Sequence, residues 1–264
     1  MYENNSEKGL LKKILKSLES FFNDDTTYYA ASLSFFTIFS ILPIIALLIA
    51  IVSNFQEFDN YLDILTAYII DIINPTHSEE IINSIKNYIS NSNQLGSIGI
   101  IYMLFVFIMF VKDYEYIVNK IHKTKRKPIY ISFIFYSIFF VLTPTIFIAF
   151  NIIMSYYNST IFNSLISYIF SWSIFYVLFK LSVNKKIDTK AAFLSSFITL
   201  ITLSFTKNLF IYYVIYNKTY TTIYGSLATL LFTFFWIYIS WIIYLYGIKI
   251  CYKLNLKKKI KKED

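Results

Sequence analysis

A chain of 264 residues that is 56% hydrophobic, 20% aromatic and only 15% charged is not an ordinary soluble domain, in which about a quarter of residues are charged. The composition places it among integral membrane proteins, where a net charge of +8 reads as cytoplasmic loops facing anionic headgroups rather than a nucleic-acid surface. A single cysteine, Cys251, excludes an intramolecular disulfide and a cysteine metal cluster.

The chain opens on "KGLLKKILKSLESFF". Leu11, Ile14, Leu15, Leu18 and Phe22 recur at helical spacing, with Lys8, Lys12, Lys13 and Lys16 largely opposite. This predicts a cytoplasmic amphipathic helix lying in the membrane interface, within residues 1–29. No apolar run precedes residue 29, so no cleavable leader is expected. Six uncharged segments follow, roughly 31–53, 95–111, 129–153, 160–179, 191–206 and 223–248. Crossing the hydrocarbon takes about 20 helical residues, so the second and fifth segments need their flanks.

Between the first two segments lies a polar stretch, 54–94, with its own pattern. Phe58, Tyr61, Leu62, Leu65, Ile69 and Ile72 form one stripe, and Pro75 interrupts it. Thr76-x-x-Glu79 then offers a capping box for a second helix carrying Ile81, Ile82, Ile85 and Ile89. A two-helix extracytoplasmic cap is expected there. From Pro128 to Phe179 no residue is charged, which reads as a hairpin of two helices turning at "YYNST", residues 156–160.

Lysine and arginine alternate between the spans. Residues 1–30 hold four, 54–94 one, 112–128 six, the turn near 158 none, 180–190 four, 207–222 two and 249–264 seven. The rich segments are separated by even numbers of spans, so both termini are expected in the cytoplasm. The predicted fold is all-α and polytopic: an interfacial N-terminal helix, a six-helix membrane domain over residues 30–251 and a basic cytoplasmic tail over 252–264.

Hydroxyl residues recur inside the spans. Ser32, Ser34, Thr37 and Ser40 precede Pro43 in the first, and Ser164, Ser167 and Ser171 lie in the fourth. Ser195, Thr199, Thr202 and Thr206 share a face of the fifth. In the sixth, Ser226, Thr229, Thr233, Ser240 and Tyr244 align beside Trp236. Pro43 lacks an amide hydrogen and frees the Phe39 carbonyl, which predicts a bend. Two readings stay open. The stripes are close helix packing through small residues, or they line a weakly polar groove with a bend for gating. On the groove reading Ser34, Thr37 and Ser40 face the hydroxyls of the fifth and sixth spans, with Tyr224, Gly225 and Ser226 at the outer mouth.

Three stretches resemble a known family. They are "AASLSFFTIFSILPII" at 30–45, "FKLSVNKKID" at 179–188 followed by "AAF", and "IYGSLATLLFTFFWIYISWIIYLYG" at 223–247. Together they resemble the YihY/BrkB family of bacterial inner-membrane proteins, once labelled ribonuclease BN. The resemblance covers most of the chain and implies a multi-pass protein of the inner membrane. Family members often carry an acidic residue just after the closing glycine, whereas Ile248 and Lys249 follow Gly247 here.

A nuclease reading finds no chemistry. Phosphodiester hydrolysis needs clustered carboxylates with a metal, or a placed acid and base. His77 and His122 are expected on opposite sides of the membrane, and neither has a neighbouring ligand pattern. The basic "KIHKTKRK" at 120–127 is explained as a topogenic loop, so no nucleic-acid partner is expected. No aspartate, glutamate, lysine, arginine or histidine lies inside a span, which argues against a carboxylate-driven pump. Lys112, Asp113, Glu115 and Lys180 read as anchors at cytoplasmic helix ends. Lys207, one of few outer cations, is the candidate for meeting a phosphate. The expected function is a transporter or flippase-like handler of an amphipathic envelope molecule, such as a lipid. The alternative is a scaffold for envelope-assembly proteins. No catalytic residue, metal or cofactor is assigned, and the sequence does not fix the oligomeric state.

Overall fold

The computed structural model describes residues 25–52, 96–155, 160–216 and 227–263, with isolated helical positions between 67 and 87. Among these residues there is no strand. Six long helices follow in order: α1 (Asp25–Val52), α2 (Gly96–Ile121), α3 (Ile129–Ser155), α4 (Thr160–Leu181), α5 (Thr189–Tyr216) and α6 (Leu227–Glu263). Many of their residues are β-branched or aromatic and only weakly favour helix in water. In hydrocarbon, however, a helix is the state in which one segment satisfies its own backbone.

Helix ends are set by local chemistry. α2 closes on Lys123, which adopts a left-handed φ of 52°. Lys123 N–H bonds to the Lys120 carbonyl at 3.1 Å and Thr124 N–H to the Asn119 carbonyl at 2.9 Å. This paired closure satisfies two terminal carbonyls. α5 starts on Asp188, whose carboxylate accepts the Ala191 amide at 3.3 Å, as an N-cap does.

α6 is the centre of the bundle and packs on α5, α1 and α2, while α4 lies along α5 and α3 bridges α2 and α4. The main apolar core is not spread evenly. It gathers Ala30 and Leu33 of α1, Val111, Tyr114 and Val118 of α2, Phe179 of α4, Ala191 and Ala192 of α5, and Leu245, Ile248 and Cys251 of α6. All of these sit at the lysine-rich end. A smaller cluster of Phe210, Phe232 and Trp236 joins α5 to α6 towards the other end. Apolar side chains also face outward in rows, among them Ile134, Ile138 and Leu142 on α3 and Ile201, Phe205 and Leu209 on α5. Exposed apolar surface on that scale needs a non-aqueous surrounding. By length and composition, Thr189–Tyr216 and Leu227–Lys258 are long and apolar enough to cross a membrane.

Several boundaries differ from expectation. The second segment does not stop near 111 but runs to Ile121. Asp113 and Glu115 therefore stand on a continuing helix, not at its end. The anchor reading fails for both: Asp113 accepts a hydrogen bond from Ser32 Oγ at 2.6 Å, and Glu115 is 1% exposed. The short fifth segment extends to Tyr216, and the sixth continues through the basic tail to Glu263. Residues 25–29, assigned to the amphipathic element, belong to α1, which passes through Pro43 and remains helical to Val52. The N-terminal amphipathic helix, most of the 54–94 cap, the turn at 156–159 and Tyr224, Gly225 and Ser226 lie outside the described residues.

Candidate functional site

A wide concavity lies at the α5–α6 crossing. α6 has no side chain at Gly247. A Cβ there would overlap Thr199 Oγ1 and come within 3.0 Å of both Thr199 Cβ and Phe179 Cζ. Glycine thus lets the two backbones approach closely at this level. Beside this crossing, and lined in part by Thr199 and Gly247 themselves, lies a lateral groove of about 570 Å³. Ile198, Thr199, Thr202 and Thr206 form one wall. The other is a stripe on α6 at helical spacing, running through Phe235, Ile239, Ile242, Tyr246 and Ile250, and Thr27 of α1 also lines it. The lining is almost wholly apolar. Phe235 is 49% and Ile198 38% exposed, so the groove opens sideways, towards lipid.

The hydroxyl stripes contribute little polarity because most turn back on their own helix. Ser34 donates to the Ala30 carbonyl at 2.5 Å and Thr37 to that of Leu33 at 2.7 Å. Ser40 reaches the Thr37 carbonyl at 3.3 Å. On α5 the same bond joins Ser195 to Ala191, Thr199 to Ser195 and Thr202 to Ile198. On α6 Thr233 donates to Thr229. Such a bond satisfies the hydroxyl without a polar neighbour, which is why Thr202 can stand exposed.

The candidate residues therefore separate. Thr199, Thr202 and Thr206 line the groove, whereas Ser195 is buried beneath it. Ser34 and Ser40 are buried, and Thr37 accepts a hydrogen bond from Trp241 Nε1 of α6 at 2.9 Å. That α1–α6 contact is closed rather than grooved. Thr233 and Trp236 are buried; Thr229 and Ser240 are half-buried. Lys207 pairs with Asp71 of the 54–94 segment at 2.6 Å. This ties α5 to that segment, so a carboxylate already meets the cation expected to meet a phosphate.

A polar network that sequence reading missed holds the lysine-rich end together. Tyr114 Oη lies 2.5 Å from Tyr244 Oη and 3.1 Å from Ser182 Oγ, all buried. Asn119 is its hub. Its Nδ2 donates to the carbonyls of Glu115 at 2.9 Å and Ser182 at 3.2 Å. Its Oδ1 accepts from Asn184 N–H at 2.7 Å and Thr124 Oγ1 at 2.8 Å. Lys127 Nζ donates to the Leu181 carbonyl at the end of α4, 2.7 Å away. The α2–α3 and α4–α5 loops are thereby bound to each other, and the basic 120–127 stretch is folded onto the bundle. Glu115 Oε1 accepts the Lys127 amide at 3.3 Å. His122 is 3% exposed, stacks edge-on against Tyr252, and its Nε2 has no hydrogen-bond partner among the described residues. Burial and the nearby Lys185 lower its pKa to about 4. Asp188, besides capping α5, pairs with Lys258, while its amide donates to Asn255 Oδ1 at 3.0 Å. Among the described residues no three histidine, cysteine, aspartate or glutamate side chains gather in a way that could hold a metal ion.

Residues 17–264 match the family described as "Virulence factor BrkB". The chain belongs to the BrkB family. It is similar along most of its length to several proteins named UPF0761 membrane protein. That of Aggregatibacter aphrophilus (strain NJ8700) is 28% identical over 242 residues, covering 87% of each chain. That of Pseudoalteromonas atlantica is 25% identical over 248 residues, 88% of this chain and 82% of the relative. The Haemophilus influenzae (strain 86-028NP) protein is 27% identical over 239 residues, 86% of this chain and 88% of the relative. No solved structure matches. With the exposed apolar faces, these names make this BrkB family member a membrane protein.

The three stretches that carried the resemblance converge in this BrkB chain. The first supplies Ala30 and Leu33 to the core and Ser32 to Asp113. The second supplies Phe179, Ser182 and Asp188, and the third supplies Tyr244 and Gly247. They meet where α6 crosses the bundle, above the polar network and beside the groove. Sequence signals for the network existed but were weak. Asp188-x-x-Ala191 is an N-cap pattern, and Asn119 sits near a helix end followed by basic residues. Tyr244 falls on the hydroxyl stripe of the sixth span, whereas Tyr114 is one of 24 tyrosines with no local mark.

Proposed function

We propose that this BrkB family member is a six-span inner-membrane protein, both termini cytoplasmic, that handles an amphipathic envelope lipid through the α5–α6 groove. One observation carries the reading: the groove is apolar, lateral and large enough for a ligand at 570 Å³, within the usual range of about 300–1,000 Å³. An acyl chain already dissolved in the bilayer can enter such a groove without crossing a polar barrier. Thr199, Thr202 and Thr206 give the wall modest width because β-branched threonine is smaller than the surrounding isoleucine and phenylalanine. No catalytic role is assigned, since Tyr114, Ser182 and Asn119 at the lysine-rich end are occupied in holding helices and loops together.

A second reading, a scaffold for envelope-assembly proteins, is favoured by the back-bonded hydroxyls, which leave no continuous polar route for a headgroup. The two readings part in proteoliposomes containing a headgroup-labelled phospholipid, where a membrane-impermeant reductant reports movement between leaflets. Handling predicts faster movement than in empty vesicles, slowed by Thr202→Trp, which fills the groove. Movement no faster than in empty vesicles leaves the scaffold. The topology is tested by cysteine scanning in intact cells, for which buried Cys251 gives a quiet background. Cysteines at Asn60 or Asn93 should react with an impermeant reagent, and labelling at 120–127 instead would overturn the orientation.

A further inference from the structure

We propose that the groove selects an anionic phospholipid of the cytoplasmic leaflet, with its phosphate held by Lys249, Lys253 and Lys257. This rests on the acyl-chain reading above and adds the headgroup. The α6 stripe that lines the groove continues past Ile250 in the same helical register. Tyr246 and Ile250 are followed at steps of three and four by Lys253 and Lys257. Both lysines are exposed. Lys249 lies one turn after Tyr246, and its Nζ sits 5.5 Å from the centre of that ring. The same helix face thus changes from apolar to cationic within one turn, as a lipid changes from chain to headgroup.

Depth supports the match. From Phe235 to Ile250 the lined stripe covers 15 helical steps, about 22 Å at 1.5 Å per residue. A hydrocarbon leaflet is about 15 Å thick, half of the bilayer core. The groove therefore has room for a whole acyl chain below a headgroup at the lysine level. The described carboxylates nearby are Asp188 and Asp25. Lys258, off this face, is engaged with Asp188, and Asp25, two residues before Thr27, accepts a hydrogen bond from Tyr29 at 3.3 Å. A zwitterionic headgroup would gain less from three lysines, because its own cation opposes them.

The test is native mass spectrometry of the full chain released from nanodiscs containing equal phosphatidylglycerol and phosphatidylcholine with identical chains. Bound phosphatidylglycerol should exceed phosphatidylcholine. The Lys249→Gln/Lys253→Gln/Lys257→Gln variant should lose that preference, by about fivefold for each lysine removed, yet still carry lipid. Thr202→Trp should lose both lipids. If the triple variant is not monodisperse, 0.5 M salt on the wild-type protein replaces it and should erase the preference. Equal retention of the two lipids, or a preference untouched by the lysine variant and by salt, overturns the headgroup assignment and leaves the groove. Undiminished lipid on a folded Thr202→Trp overturns the groove itself.

Discussion

Replacing Gly247 by alanine adds one methyl group where α6 crosses α5. That methyl would overlap Thr199 Oγ1 and lie 3.0 Å from Thr199 Cβ and Phe179 Cζ, so three buried atoms must give way. None is the loose end of a long side chain. Thr199 Oγ1 is tied to the Ser195 carbonyl at 2.8 Å, and Phe179 is fully buried against Tyr244 with ring centres 5.2 Å apart. Overpacking of this kind costs about 1–3 kcal/mol. At ~2–4 °C per kcal/mol for a chain of this size, the thermal midpoint in detergent should fall by several degrees. Thr199→Ala removes the worst contact but keeps Cβ, so the double variant should recover part of the loss, not all. The assay is thermal unfolding of the two single variants and the double variant, read as a cycle, with a favourable coupling of about 0.5–3 kcal/mol. Full stability of Gly247→Ala, or additive losses in the double variant, would refute the close crossing.

Acid should weaken the fold through His122. Its folded pKa is lowered to about 4 by burial and Lys185, against ~6.5 unfolded, so the unfolded chain takes up the proton first. Stability falls as pH drops from about 6.5 towards 4, by up to about 3 kcal/mol; His122→Gln should flatten midpoint-versus-pH curves in that window. Asn119→Ala should destabilise by more than about 2 kcal/mol, because the Asn184 amide and the Ser182 carbonyl lose a buried partner; a loss below that of an exposed Asn184→Ala control would contradict the hub role. Asp188→Asn keeps a capping oxygen but drops the charge facing Lys258. It should cost less than Asp188→Ala, which forfeits the cap, about 1 kcal/mol, as followed by chemical unfolding in detergent.

The sequence by itself determined the class and the helical order. Long uncharged runs leave a helix as the only single segment that satisfies its own amides in lipid, and six long helices among the described residues lie near the uncharged segments. The family was likewise written in three stretches, because close crossings, caps and loop anchors need particular residues at fixed spacing. The placement of the hydroxyls was not written there. Ser34 and Thr202 make the same i−4 bond, yet one is buried and the other exposed. A helix that meets its own polar needs carries no local mark of which face it buries. The groove, the Asn119 hub and the burial of Glu115 and His122 each depend on helices far apart in the chain. Asn119 and Asn184 are 65 residues apart, and Thr37 and Trp241 204. Such distances close only in the assembled bundle, where the packing of α6 decides which side chains meet.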